Sequence, residues 1–166
     1  DNGKDVADFP VVKPDSKVYA NWLGAMVAND CQIACIELNE KNLADQTSAC
    51  IDLDYAVITR LVNFQSSTDG MDHQTQRAAT NIIASLKSTG VVIINADDAT
   101  SRFDLPHIEN PTLTIGSNDD CDIWVEHLNH SVDGQRFKLH AGIEEAIVVT
   151  PIIGHHHVYH CLQVTA

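Results

Sequence analysis

Apolar positions along this chain follow two periods, and the switches between them mark out the elements. Val18, Trp22, Ala25 and Met26 recur at helical spacing. With Asp15 or Ser16 as the capping residue, they predict a helix running to about residue 29. Residues 32–38 (Gln-Ile-Ala-Cys-Ile-Glu-Leu) read as a short buried-type strand, 40–50 as a second helix and 55–59 as the next strand. A loop rich in Ser, Thr, Asp and Gly covers 66–70, and a third helix is expected from about 71 to 88. Gly90 stands where a left-handed residue would close that helix. Residues 91–95 are a near-continuous apolar strand. Strands and helices alternating in this way argue for right-handed parallel crossovers, and so for an α/β sheet with helices on both faces.

After about residue 105 the pattern changes. Residues 112–116 and 121–127 are strand-like. Ser131-Val132-Asp133-Gly134 is a hairpin turn signal, because Asp-Gly tolerates positive φ. Residues 135–140 alternate polar and apolar, 145–153 read as a further strand, and a helix begins near Val158. The expected domain is therefore a mainly parallel α/β part (1–105), an appended antiparallel β section (106–153) and the start of a helix (154–166).

Composition narrows the class. With 166 residues, 44% hydrophobic and 20% charged, the chain is large and apolar enough to bury one core. No apolar run approaches the ~20 residues that span a bilayer. The first residues, Asp1-Asn2-Gly3-Lys4-Asp5, are polar and acidic, without a secretory signal pattern or Met. A piece of a longer or processed chain is expected. A net charge of −13 disfavours nucleic acid and anionic membranes as partners. It also disfavours a nucleotide site unless local cations or Mg²⁺ offset the field. The five cysteines are too scattered for a disulfide framework and read as reduced thiols in a cytoplasmic protein.

Two segments about sixty residues apart give the strongest functional signal. Val91-Val92-Ile93-Ile94 runs into Asn95-Ala96-Asp97-Asp98, and Pro151-Ile152-Ile153 into Gly154-His155-His156-His157-Val158-Tyr159. Together they resemble the nucleotide-binding central domain of the Mur ligases, most closely the MurE type. Ile36-Glu37-Leu38 resembles that family's Met-Glu-Val-Ser-Ser strand end. Residues 55–61 are similar to its Asp-Val-Ala-Val-Phe-Thr-Asn-Leu strand, and Leu113-Thr114-Ile115-Gly116 with Asp122-Ile123 resembles its Thr-x-Gly and Asp-Val. The resemblance implies a P-loop-type fold lacking its first strand and phosphate loop. It implies ATP and Mg²⁺ as cofactors. The implied partners are a nucleotide-linked muramoyl peptide, an amino acid and the flanking domains of a parent chain. The implied chemistry is phosphorylation of a carboxylate by ATP, followed by amine attack to form an amide.

Several positions depart from the family pattern. The family's glycine-rich phosphate loop, with its backbone cradle and lysine, would precede residue 1, and no Gly-Lys-Thr/Ser occurs in the chain. Phe64-Gln65 stands in place of an Asp-His pair, and Asn39-Glu40 in place of Ser-Ser. Ala79 lies near the place of a carbamylated helical lysine. His157 and His160 replace two asparagines. These departures raise a second expectation, a pseudoenzyme that keeps the fold for binding or scaffolding.

Candidate residues follow, each with a plainer alternative. Glu37, at a predicted strand end, is the candidate Mg²⁺ ligand or a solvated carboxylate. Asn95 and Asp97 are candidate nucleotide contacts, or Asx residues closing a turn. His156, His157 and His160 are candidate nucleotide-pocket residues or belong to a domain junction. His156 and His160, at i and i+4, could also chelate Zn²⁺ or Ni²⁺, with Glu144 or Glu145 as a further ligand. There is no Gly-x-Ser-x-Gly elbow, and no residue is singled out as catalytic.

Overall fold

The computed structural model describes residues 16–38, 51–59, 73–98 and 108–166. Helix α1, Ser16–Ala28, turns Val18, Trp22, Ala25 and Met26 to its half-buried side, with Tyr19 buried. It closes on Asp30, at φ 58°, rather than on a glycine. The Cys31 amide donates to the Met26 carbonyl at 3.0 Å and the Asp30 amide to Val27 at 3.1 Å. That bond pair caps a helix through one left-handed residue, a conformation Asp tolerates better than most side chains.

Six strands form one sheet in chain order: β1 (Leu53–Ile58), β2 (Leu86–Asn95), β3 (Thr112–Gly116), β4 (Ile123–Ser131), β5 (Gly134–Ala141) and β6 (Glu144–Thr150). Strands β1 to β4 are mutually parallel, and β4 to β6 are antiparallel. The expected α/β sheet with an antiparallel extension is present. Its direction changes at β4, however, not before β3 as the sequence pattern implied. Helix α2 (His73–Ala84) lies between β1 and β2, and α3 (His155–Thr165) follows β6.

The sheet carries a core on each face. On one, Ala79 of α2 packs with Ile58, Val92 and Ile94. On the other, Val158 and Leu162 of α3 pack with Ile93, Ile115, Ile123, Val125, Phe137 and Leu139. Consecutive residues Val92, Ile93 and Ile94 thus serve opposite cores. That is why this strand is continuously apolar, whereas β5 alternates.

Three local features differ from the sequence expectations. Residues 32–38 form no strand among the described residues; Ile33 is 85% exposed, and Ala34 and Cys35 are also exposed. An apolar run becomes a buried strand only with ladder partners and covered faces, and this one has neither within the described residues. Helix α2 stops at Ala84, where the Ser85 hydroxyl bonds back to the Asn81 carbonyl at 2.8 Å. Gly90 then lies within β2 and not at a helix end. A side chain there would meet Leu86 Cδ2 at 2.9 Å and the carbonyls of Lys87 and Leu53 at 3.0 and 3.1 Å. Glycine serves close approach here, where the β1–β2 register jumps from Leu53↔Leu86 to Tyr55↔Val91. The expected second helix (40–50) lies outside the described residues.

The Val132-Asp133 hairpin forms as expected, with Gly134 at φ 138°. A second tight turn at Gly142, φ 60°, joins β5 to β6. The α3-side core is the larger of the two, so its centre should dominate stability. Phe137 is 0% exposed; Phe137→Ala should cost about 3–5 kcal/mol. Val164→Ala, at a position 89% exposed, should stay within about 0.5 kcal/mol. Urea unfolding of the two variants checks this contrast.

Candidate functional site

The C-terminal ends of β1, β2 and β3 lie side by side, the edge where parallel sheets place ligands. Asn95 ends β2, and its side-chain oxygen accepts the Asp97 amide at 3.0 Å. The Asp98 amide reaches the Asn95 carbonyl at 3.3 Å. Asn95 therefore closes the turn through its side chain, as Asx residues do.

Asp97 has a longer reach. Its Oδ2 accepts the Ser117 backbone N–H at 2.7 Å and the Tyr159 hydroxyl at 2.7 Å. One carboxylate oxygen thus ties the β2 end to the β3–β4 connection and to α3. Charge-assisted bonds of this length are among the stronger ones proteins make. Burial, and then the bond to Asp97, push the Tyr159 hydroxyl up to about 12, so it stays a donor across the physiological range.

The β3–β4 connection is built to present Ser117. Only Ile115↔Ile123 and Gly116↔Trp124 pair between these parallel strands. Asp122 closes the connection by accepting the Thr114 amide at 2.8 Å and the Thr114 hydroxyl at 2.7 Å. Those bonds hold the Asp122 carboxyl below the usual carboxylate range. A side chain at Gly116 would meet Cys121 Sγ at 2.6 Å and the Asp97 carboxylate at 3.3 Å. Only glycine lets this backbone approach Asp97 so closely.

The histidines cluster at the start of α3, which begins at His155, within the expected 154–166 segment and ahead of Val158. Gly154 precedes it at φ 118°, with the His156 ring lying over its α-carbon. Ring centroids are 3.9 Å apart for His156–His157, 6.0 Å for His156–His160 and 5.6 Å for His157–His160; His155 sits edge-on to His127 of β4 at 4.8 Å. Desolvation first, then neighbouring His156 and His160, lower the His157 pKa and favour its neutral form.

The alternative chelate through His156 and His160 is not assembled among the described residues. No group of three His, Cys, Asp or Glu side chains among the described residues is arranged to hold a metal. Glu145, a candidate further ligand, instead binds Lys138 at 2.5 Å and His140 at 3.3 Å. Glu37 is exposed in the segment without a ladder and not at the end of a paired strand, so it joins no cation site among the described residues. The described residues do not by themselves assemble a metal site. Ala79, near the expected place of a helical lysine, is 1% exposed and faces Ile58, Val92 and Ile94; an amine there would sit in the core. Phe64, Gln65, Asn39 and Glu40 lie outside the described residues.

Sequence reasoning named Asn95, Asp97 and the histidines. It missed Ser117, whose contribution is a backbone amide, and Tyr159, quoted within a motif but given no role. Spacing alone could not pair Tyr159 with an aspartate 62 residues away.

Residues 13–166 match the family model described as Mur ligase middle domain. The chain belongs to the Mur ligase middle-domain family. It is 28% identical over 154 residues to the UDP-N-acetylmuramoyl-L-alanyl-D-glutamate--2,6-diaminopimelate ligase of Chlamydia caviae, covering 92% of this chain and 32% of the relative. It is 21% identical to the enzyme of that name from Chlamydia pneumoniae, covering 96% and 33%. This Mur ligase middle domain therefore spans about a third of the length of the curated relatives it matches. Among solved structures, a ligase of the same name aligns with a TM-score of 0.70 and 23% identity over 87% of this chain and 30% of that one. The UDP-N-acetylmuramoylalanyl-D-glutamyl-2,6-diaminopimelate--D-alanyl-D-alanyl ligase of Acinetobacter baumannii aligns at 0.68 and 18%, over 90% and 33%. Both show that the Mur ligase fold is shared. No helix among the described residues is long and apolar enough to cross a membrane.

The Tyr159–Asp97 bond has a pH signature. Because the folded pKa lies above the ordinary value of 10, its stabilising contribution is complete below pH 10 and is lost as pH rises through about 12. The phenolate absorbance of the wild type minus that of Tyr159→Phe should therefore titrate near 12, and not near 10, in the folded domain.

Proposed function

We propose that this chain is the nucleotide-facing middle domain of a cytoplasmic, ATP-dependent ligase that joins an amino acid to a nucleotide-linked muramoyl peptide. The family membership over residues 13–166 is the observation that carries the reading. The braced strand-end loop supports it, since Asn95 and Asp97 stand at the sheet edge that takes ligands in α/β folds. ATP supplies the phosphoryl group that activates the peptide carboxylate, and an incoming amine displaces that phosphate to form the amide. The residues of this chain orient the nucleotide: Asn95 fixes the turn, Asp97 presents an acceptor, and the start of α3, with His156, His157 and His160, lines the approach. Phosphate neutralisation falls to groups beyond the described residues, including flanking domains and Mg²⁺, because the chain carries no Gly-Lys-Thr/Ser.

One observation favours a second reading, a Mur ligase-like pseudoenzyme that binds without turnover. Ala79 is sealed into the α2-side core where the family resemblance calls for a lysine, and histidines stand at 157 and 160. Calorimetric titration of Mg²⁺-ATP separates the two. Into the intact parent protein, micromolar binding is expected, with none to the 166-residue chain alone. A folded parent that takes up no nucleotide would sink the ligase reading and leave the binding role.

A further inference from the structure

We propose that β6 is the contact strand of a two-fold dimer: it pairs antiparallel with β6 of a second copy of this chain, centred on Ile147, and joins the two sheets into one. This goes beyond the nucleotide reading above and does not depend on it.

The sheet ends at β6, which pairs with β5 and has no ladder partner on its other side among the described residues. A free strand edge presents a row of backbone donors and acceptors to any strand that can lie beside it. Edges that stay single are blunted by bulges, prolines or lysines. β6 has none of these. It reads Glu144-Glu145-Ala146-Ile147-Val148-Val149-Thr150, and its register with β5 runs without a shift from end to end. By contrast, β1, at the opposite end of the sheet, carries a register jump between Leu53 and Tyr55.

Exposed apolar surface gathers at the same edge. Of the eleven large apolar side chains exposed among the described residues, six lie on β6 or in segments beside it: Val132, Ile143, Ile147, Val149, Ile152 and Ile153. The hairpin that carries Val132 is adjacent because Gly134 packs against Thr150 and Pro151. Scattered exposed apolar residues are ordinary, whereas a contiguous group marks a contact surface.

Charge and register select the occupant. Glu145 is already paired with Lys138 of β5. Residues 146–150 carry no charge. A parallel pairing of two β6 strands would set Glu144 and Glu145 against their own copies, like charge against like. Antiparallel pairing about Ile147 instead sets Glu144 opposite Thr150, and Glu145 opposite Val149, of the second copy. Arg136 is the β5 neighbour of Val149. Glu145 of one copy is therefore brought toward Arg136 of the other, with attractive sign. The same register lays Ile143, in the β5–β6 turn, beside Pro151 and Ile152 of the second copy. The two ends of the strand thus complement each other, as a two-fold contact requires.

The contact is short, since seven residues at about 3.4 Å each span roughly 24 Å. Contacts of this size are weak. A net charge of −13 on each copy opposes association at longer range. Salt screens that repulsion, so the dimer should tighten as salt rises.

Sedimentation velocity of the intact parent protein is the test. The wild type should dimerise with a dissociation constant on the order of tens of micromolar. That constant should fall severalfold between about 0.05 M and about 0.5 M salt. Ile147→Lys and Ile147→Glu each set like charges face to face across the two-fold axis, and each should stay monomeric up to about 200 µM. Both change an exposed position, so their melting temperatures should lie within a few degrees of the wild type. Mixed in equal amounts, the two variants should associate again, because unlike charges then face each other. The proposal is overturned if the wild type remains monomeric at about 200 µM. That holds whether the β6 amides then exchange freely or are covered by another domain of the parent. It is also overturned if either variant associates as the wild type does, or if the mixture fails to associate. If the variants do not fold, hydrogen exchange in the wild type decides. Exchange of the β6 amides must slow as protein concentration rises, and an unchanged rate overturns the proposal.

Discussion

The C-terminal edge of the parallel strands depends on a connection that is short for the job it does. Parallel neighbours ordinarily need a crossover of about a dozen residues or more. β3 ends at Gly116 and β4 starts at Ile123, yet the two are parallel and adjacent. The chain manages this by pairing only two positions and folding the link back on itself, with Asp122 clasped to Thr114 and Cys121 buried beneath Gly116. That geometry turns the Ser117 amide toward β2, where Asp97 receives it. Tyr159 reaches the same carboxylate oxygen from α3.

From the same point the sheet reverses. β4 pairs parallel to β3 and antiparallel to β5, so one strand joins the parallel half to the meander. The α3-side core spans that junction, from Ile93 and Ile115 on the parallel side to Phe137 and Leu139 on the antiparallel side, closed by Val158 and Leu162. Helix α3 therefore does two things with adjacent residues. Val158 seals the core, and Tyr159 reaches the loop. Loss of packing in the meander would be felt at Asp97 through this helix.

Much of this was legible in the sequence, for physical reasons that vary by element. The strand Thr112–Gly116 and the Asp133-Gly134 turn were readable because period and turn chemistry act locally. The parallel direction of β3 was not, because direction is set by how the chain returns, and a six-residue return reads like a hairpin link. Gly90 was misjudged because a glycine needed for close approach looks the same as one needed for a left-handed turn; only the neighbouring Leu86 and Leu53 distinguish them. Residues 32–38 have the composition of a strand, but composition supplies no ladder partner. Asn95 and Asp97 were found as a motif, whereas their brace was hidden because it comes from a backbone amide and a tyrosine far along the chain.

Charge decides what this edge can contribute. The chain has 10 Lys and Arg against 23 Asp and Glu, and the residues gathered at the loop are Asn95, Asp97 and Asp98, joined by a tyrosine that stays neutral. Of the histidines at the start of α3, His157 is shifted toward its neutral form by desolvation and by His156 and His160. His157 therefore brings hydrogen-bonding capacity and not a charge. A polyphosphate held against a surface of this sign needs cations supplied from elsewhere in the protein or from solution. The edge formed by Asn95, Asp97 and Asp98 therefore offers hydrogen-bond acceptors and no positive charge of its own.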